Sequence, residues 1–258
     1  MSTPHVDTIF DGRVIVEQPE VGYRFSIDSL LLIAFAYTQK ETNLAIDLGA
    51  GCGVVGLGLL ATRRALRVVG VEIQERLADM ALANAHRNGF EKAYEIERSD
   101  VRKASLPHLG KADLVVCNPP FWPVWEGRMP PDEERRIARH EVIGSLEDWI
   151  HAARRVLHPT RGRLFIVYPA RRVDELLVCM HKQGMSGTRL RFVFSMPRKP
   201  AEQVLLEARH GKTGRLNVEP PLLLKDDGGT DTKELLEIVS GGFSWEIRAL
   251  PDTRRVSD

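Results

Sequence analysis

The chain has 258 residues, 43% of them hydrophobic, enough to bury a full core in one large α/β domain. Its 36 basic and 35 acidic residues leave a formal net charge of +1, which excludes bulk attraction to nucleic acid or anionic lipid, so any basic surface must be local. Three widely spaced cysteines, Cys52, Cys117 and Cys179, form no C-x-x-C pair and stand near no histidine cluster, so no metal is expected and a reduced, cytoplasmic setting fits.

In chain order, the first 42 residues read as an N-terminal segment carrying Asp7, Asp11 and Glu17. Its apolar run from Leu30 to Ala36 falls well short of the ~20 residues that span a bilayer, so no membrane partner is expected. That run reads as the first turns of a helix capped by Asp28. Strands are predicted at Leu44 to Leu48, Arg67 to Glu72, Tyr94 to Arg98, Ala112 to Cys117 and Arg163 to Tyr168. Helices are predicted at Val54 to Arg64, Gln74 to Asn88, Leu146 to Leu157 and Arg171 to Gln183, with Asn88-Gly89 as a helix stop and Asp148 near a helix start. This alternation is the pattern of βαβ units in a parallel sheet. After Gly184 the rhythm changes: Arg189 to Ser195 and Gln203 to His210 are joined by Pro197-Arg198-Lys199-Pro200, which predicts an antiparallel hairpin closing the sheet. Lys225 to Thr232 reads as a loop and Pro251 to Asp258 as a frayed tail, so residues 43–240 form the main domain and 241–258 an extension.

Asp47-Leu48-Gly49-Ala50-Gly51-Cys52-Gly53 closes the first parallel strand and opens a helix, where an open α/β sheet places its ligand. Glu72 ends the second strand 19 residues after Gly53, near the offset at which an acid meets ribose hydroxyls, and its two oxygens can accept from both. A pyrophosphate ligand favours G-x-G-x-x-G; here the glycines are spaced G-x-G-x-G and preceded by an acid, which disfavours an anionic guest. The turn resembles motif I of the class I S-adenosylmethionine-dependent methyltransferases. That resemblance implies a Rossmann-like fold with a seven-stranded, mostly parallel sheet. It further implies S-adenosyl-L-methionine as cofactor, held by Asp47, Gly49, Ala50, Gly51 and Gly53, with Glu72 and Ile73 at the ribose and Asp100 and Val101 at the adenine. Read from the residues alone, Asp100 is equally a loop or helix-cap aspartate.

The fourth strand runs into Asn118-Pro119-Pro120-Phe121, where two prolines end the strand and fix an extended turn. An aromatic amine is a poor nucleophile because its lone pair is delocalised into the ring. The Asn118 side-chain oxygen and the Pro119 carbonyl can each accept one amino N–H, drawing density to nitrogen and aligning its lone pair, while Pro120 keeps the turn rigid. Phe121 offers a flat surface for an extruded base. The element is similar to that of the amino-methyltransferases acting on adenine N6, on guanine N2 in ribosomal RNA, or, usually with tyrosine last, on protein glutamine. It names the chemistry and leaves the substrate open.

Two flanking segments narrow it. Gly22 to Leu32, with Tyr23, Phe25 and Asp28, resembles the N-terminal segment of the bacterial tRNA adenine-N6 methyltransferases acting beside the valine anticodon. That resemblance implies that the segment covers the cofactor, with Phe25 and Asp28 near it and Tyr23 toward the substrate. Ala138-Arg139-His140-Glu141 is similar to the same group and implies substrate contacts for Arg139 and His140, although a lone histidine beside charged residues also suits a structural role. An RNA partner, tRNA within it, follows from these segments. The Trp122-Pro123-Val124-Trp125 stretch is bulkier than that group's pattern, and Gly228-Gly229-Thr230-Asp231 lacks its tyrosine. Arg128, Arg135, Arg136, Arg139, Arg189, Arg191, Arg198, Lys199, Arg209, Lys212 and Arg215 are candidates for phosphate contacts, or else a solvated charged face. The remaining alternative is a module that binds cofactor or RNA without turnover.

Overall fold

Runs such as Leu-Val-Val-Cys and Leu-Phe-Ile-Val-Tyr are apolar without alternation, as strands buried on both faces must be. The computed structural model describes residues 5–19, 25–38, 41–103, 110–119, 144–211 and 215–242. In chain order the strands are β1 (His5–Ile9), β2 (Val14–Gln18), β3 (Thr42–Leu48), β4 (Ala65–Glu72), β5 (Tyr94–Arg98), β6 (Leu114–Cys117), β7 (Arg163–Pro169), β8 (Met185–Phe194), β9 (Ala201–His210), β10 (Asn217–Val218) and β11 (Leu222–Leu223). The helices are α1 (Ile27–Phe35), α2 (Val54–Ala61), α3 (Glu75–Arg87), α4 (Leu146–Val156), α5 (Val173–Lys182) and α6 (Lys233–Ser240).

The main sheet runs β10-β8-β9-β7-β6-β3-β4-β5, with β11 also on β8. Strands β3 to β7 are parallel to one another, and β9 is antiparallel to both β7 and β8. The seven long strands are the expected ones; β10 and β11 are two-residue additions that bring the described sheet to nine. One apolar core lies under α1 and α2, the other under α4 and α5.

Two features at the chain ends escape sequence periodicity. Phe10, Asp11 and Gly12 all adopt positive φ, and this tight turn folds β1 back on β2 as a separate two-stranded hairpin whose Val14 and Val16 are fully buried. Near the other end, Arg191 on β8 donates to both carboxylate oxygens of Glu234 on α6 (2.8 and 2.9 Å) and to the Pro220 carbonyl (2.9 Å), fastening the last helix to the sheet. Helix boundaries follow local chemistry. Ser145 and Asp148 form a reciprocal capping box on α4, and Asn88-Gly89 ends α3 with Gly89 at φ +73°. The cap expected of Asp28 is not there. Ser26 occupies the N-cap of α1, while Asp28 lies in its first turn and accepts a hydrogen bond from Gln203, a residue distant in sequence.

Candidate functional site

Strand β3 lies between β4 and β6, so the order of connections reverses around it and a crevice opens beyond the strands' C-terminal ends. Register aligns the candidates there. Leu48 is opposite Cys117 on one side and Val71 on the other, so Gly49, Asn118 and Glu72 leave three adjacent strands side by side. Glu72 is opposite Arg98, and Ser99 N–H donates to the Glu72 carbonyl (3.1 Å), bringing Asp100 to the same row.

The turn from Asp47 to Gly53 is fixed by an accounting of its N–H groups. Gly49 and Ala50 both donate to the Val71 carbonyl (2.9 and 3.0 Å), Gly51 donates to Glu72 Oε2 (2.8 Å) and Gly53 to the Ala50 carbonyl (2.9 Å). Phosphate-binding turns present free N–H groups to their anion; these four are already engaged, which agrees with the spacing argument against a pyrophosphate. Gly49, Gly51 and Gly53 have φ of +73°, +57° and +89°, a region that side chains disfavour. Gly49 is doubly constrained, because a Cβ there would lie 2.9 Å from Cη2 of Trp149.

What the turn presents is carboxylate. Asp47 and Glu72 are only 2% and 6% exposed, and they repel each other. Asp47 Oδ2 accepts from Gly56 N–H in the first turn of α2 (3.1 Å), yet burial raises its pKa to about 7. Burial likewise raises Glu72, against the N–H groups of Gln74 (2.9 Å) and Gly51 that favour its charge. Each Glu72 oxygen holds one backbone donor and retains capacity for a hydroxyl. Two buried acids with no cation in the turn fit a cationic, hydroxyl-bearing guest, which S-adenosylmethionine is. Cys52 and Cys117 are also buried here, and burial pushes Cys52 up to about 12, so no thiolate nucleophile is on offer at neutral pH.

The Asp47 shift has a sign that can be tested. An unfolded chain loses this proton near pH 3.8, whereas the folded one keeps it to about 7. Between those values the folded state binds more protons, so stability falls as pH rises from 4 to 7, on the order of 4 kcal/mol for a shift of this size. Relative to Asp47→Asn, the cofactor-free protein is expected to lose stability steadily from pH 5 to about pH 7 in urea unfolding and to level off above it; parallel curves would refute the buried-acid assignment.

Other candidates fall around this row. Asn118 is half-buried and Pro119 buried, directly after β6. Ile73, 43% exposed beside Glu72, offers an apolar surface at the mouth of the crevice, whereas Val101 is buried in the core. Asp100 is held ionised by Arg102, whose Nε lies 2.9 and 3.0 Å from its two oxygens. Phe25 N–H donates to Gln18 Oε1 (3.2 Å), tying the segment before α1 to the hairpin. Tyr23, Pro120, Phe121, Arg139 and His140 lie outside the described residues, as do Trp122, Trp125, Arg128, Arg135, Arg136 and Lys212.

The basic candidates separate. Arg189 is half-buried over the Phe35 ring (4.1 Å), with its guanidinium donating to the Phe35 carbonyl (2.6 Å), and Arg191 is buried and committed to Glu234, so both serve the fold. Arg209 ends β9 at the sheet edge opposite Asn118. Arg198 and Lys199, in the exposed turn after β8, stand on the Asn118 edge. Sequence reading missed Trp149, which walls Gly49, and Asn84, which bonds the cofactor turn. An asparagine at position 84, inside a helix, was the available signal, since asparagine favours caps over helix interiors.

The family model described as methyltransferase small domain matches residues 23–177. A relative from Porphyromonas gingivalis (strain ATCC 33277), named tRNA1(Val) (adenine(37)-N6)-methyltransferase, is 31% identical over 246 residues, covering 92% of this chain and 95% of its own. One of the same name from Bacteroides fragilis (strain YCH46) is 28% identical over 180 residues, 69% of this chain and 74% of its own. Among solved structures, a predicted O-methyltransferase from Agrobacterium tumefaciens superposes with TM-score 0.67 at 21% identity, covering 83% of this chain and 96% of its own. M. jannaschii TYW2 in complex with AdoMet gives 0.55 at 15% identity, over 81% and 86%. These two speak to the fold, which is that of class I methyltransferases. A family match over more than half the chain, the same sheet and a turn suited to a cationic methyl donor agree that this protein belongs to the methyltransferase small-domain family and uses S-adenosylmethionine.

Proposed function

We propose that the chain methylates the exocyclic N6 of an adenine in RNA, with tRNA as the carrier. The observation that carries the chemistry is the register placing Asn118 beside Gly49 and Glu72, so that an amine acceptor pair and a donor-binding turn share one crevice. S-adenosylmethionine supplies an electrophilic methyl group. Glu72 orients its ribose, the Asp47 to Gly53 turn receives its cationic end, and Ile73 and Asp100, backed by the buried Val101, bound its base. Asn118 Oδ1 and the Pro119 carbonyl accept hydrogen bonds from the two amino N–H groups of adenine and turn its lone pair toward the methyl group, while Phe121 stacks on the base. Tyr23, Arg139 and His140 complete the substrate side, and Phe25 and Asp28 the cover over the cofactor. RNA rests on the relatives named for adenine-37 of tRNA1(Val), with Arg198 and Lys199 as phosphate contacts on the correct edge. Among the described residues no helix is long and apolar enough to cross a membrane.

The test is transfer of labelled methyl from S-adenosylmethionine into total RNA, protein and DNA, followed by nucleoside mass spectrometry. Label is expected in tRNA as N6-methyladenosine. Label confined to protein would sink the RNA reading, and N2-methylguanosine would sink the adenine one.

A further inference from the structure

Helix α3 carries two asparagines one turn apart that treat the edge of β2 as a neighbouring strand would. Asn88 Oδ1 accepts from Ile15 N–H (2.8 Å) and its Nδ2 donates to the Ile15 carbonyl (2.7 Å). Asn84 repeats the pattern on the same strand: its Oδ1 accepts from Glu17 N–H (2.8 Å) and its Nδ2 donates to the Glu17 carbonyl (2.7 Å). Edge strands expose such groups, and here side-chain amides at i and i+4 satisfy them.

The two differ in one respect. Asn84 Nδ2 also donates to the Cys52 carbonyl (3.0 Å), inside the cofactor turn, whereas the second donation of Asn88 goes back to the Asn84 carbonyl (2.8 Å). Arg87 completes Asn84 by donating to its Oδ1 (3.0 Å) while pairing with Glu17 (2.5 Å). Both donors and both acceptor positions of Asn84 are therefore used, in a side chain with no solvent exposure. On the far side of the hairpin, Gln18 holds Phe25 N–H and bonds Asp7.

We infer that Asn84 is a positioning residue that couples the N-terminal hairpin to the cofactor turn, so that occupancy of one stabilises the docking of the other. Through it the Cys52 carbonyl, and with it the Gly51 to Gly53 backbone, is held to the same strand that anchors the Phe25 segment. Coupling between two sites is reciprocal: if hairpin docking tightens cofactor binding, cofactor must tighten hairpin docking by the same factor. The inference rests on the S-adenosylmethionine assignment and is independent of the RNA reading.

Hydrogen exchange and calorimetry test it on the full chain. Saturating S-adenosylmethionine is expected to slow exchange of the Ile15 amide, which is bonded to Asn88 and lies outside the turn, by about tenfold. Asn84→Ala is expected to bind the cofactor about tenfold more weakly and to lose that slowing, whereas Asn88→Ala, which loosens the same strand without touching Cys52, changes affinity by at most about threefold. Equal affinity in wild type and Asn84→Ala, or equal losses in the two variants, would reduce Asn84 to a structural amide and overturn the inference. Should Asn84→Ala fail to fold, the wild-type measurement decides alone: slowed exchange at Ile15 supports coupling and unchanged exchange overturns it. Wild-type protein that binds no S-adenosylmethionine strikes the cofactor assignment itself, and this inference with it.

Discussion

Asn118→Ala is expected to reduce turnover by about 10²–10³-fold, the usual cost of losing one preorganised group at a reacting centre, while affinity for S-adenosylmethionine stays within about threefold. The reason lies in where the side chain stands. It is half-buried at the end of β6, level with Gly49 on β3, and the buried Pro119 that follows allows the backbone little freedom to compensate. Without the amide oxygen, an adenine amino group keeps one acceptor, the Pro119 carbonyl, and its lone pair remains delocalised into the ring. Asn118→Asp retains an acceptor at the same place and is expected to lose less. Single-turnover transfer of labelled methyl, with calorimetry of the cofactor alone, measures both quantities. Full turnover in the alanine variant would refute the role given to this side chain.

Glu72→Ala is expected to weaken cofactor binding by about 10²-fold, since hydrogen bonds to a charged acceptor contribute about 1.5–3 kcal/mol. The structure adds a second loss: this carboxylate also holds Gly51 N–H in the turn and Gln74 N–H at the start of α3, so alanine leaves a donor unsatisfied in a buried turn. Glu72→Gln keeps an acceptor oxygen for one of those donors and is expected to fall between alanine and wild type. Removing Glu72 also relieves the repulsion on Asp47, so part of the change will appear as a lower Asp47 pKa in the cofactor-free protein. Calorimetry at pH 8, above the Asp47 pKa of about 7, keeps that change from masking the ribose contribution. Unaltered affinity in the alanine variant would overturn the ribose assignment.

How much of this was legible in advance depends on the range of the interaction involved. The parallel strands, the Asp47 to Gly53 turn, Glu72 at its offset and the proline stop after Asn118 are visible in sequence because each follows from local rules: apolar runs for doubly buried strands, glycine where φ is positive, proline where a strand must end. The sheet order then aligned these elements along a single edge, as topology rules for open α/β sheets require. Other features could not be read locally. Arg189 and Arg191 look like surface cations until the positions of Phe35 and Glu234 are known, and Arg209 belongs to the wrong edge only once β9 is paired antiparallel to β7.

The Trp149 wall behind Gly49 and the Asn84 bridge share one cause: each depends on partners dozens of residues away, and no local propensity encodes such a meeting. Sequence by itself therefore determined the methyl-transfer chemistry and the edge of the sheet where the candidate site lies. Only the tertiary structure decided what holds that edge in shape, because the donors and acceptors of a buried turn are matched by whichever side chains the fold brings against them.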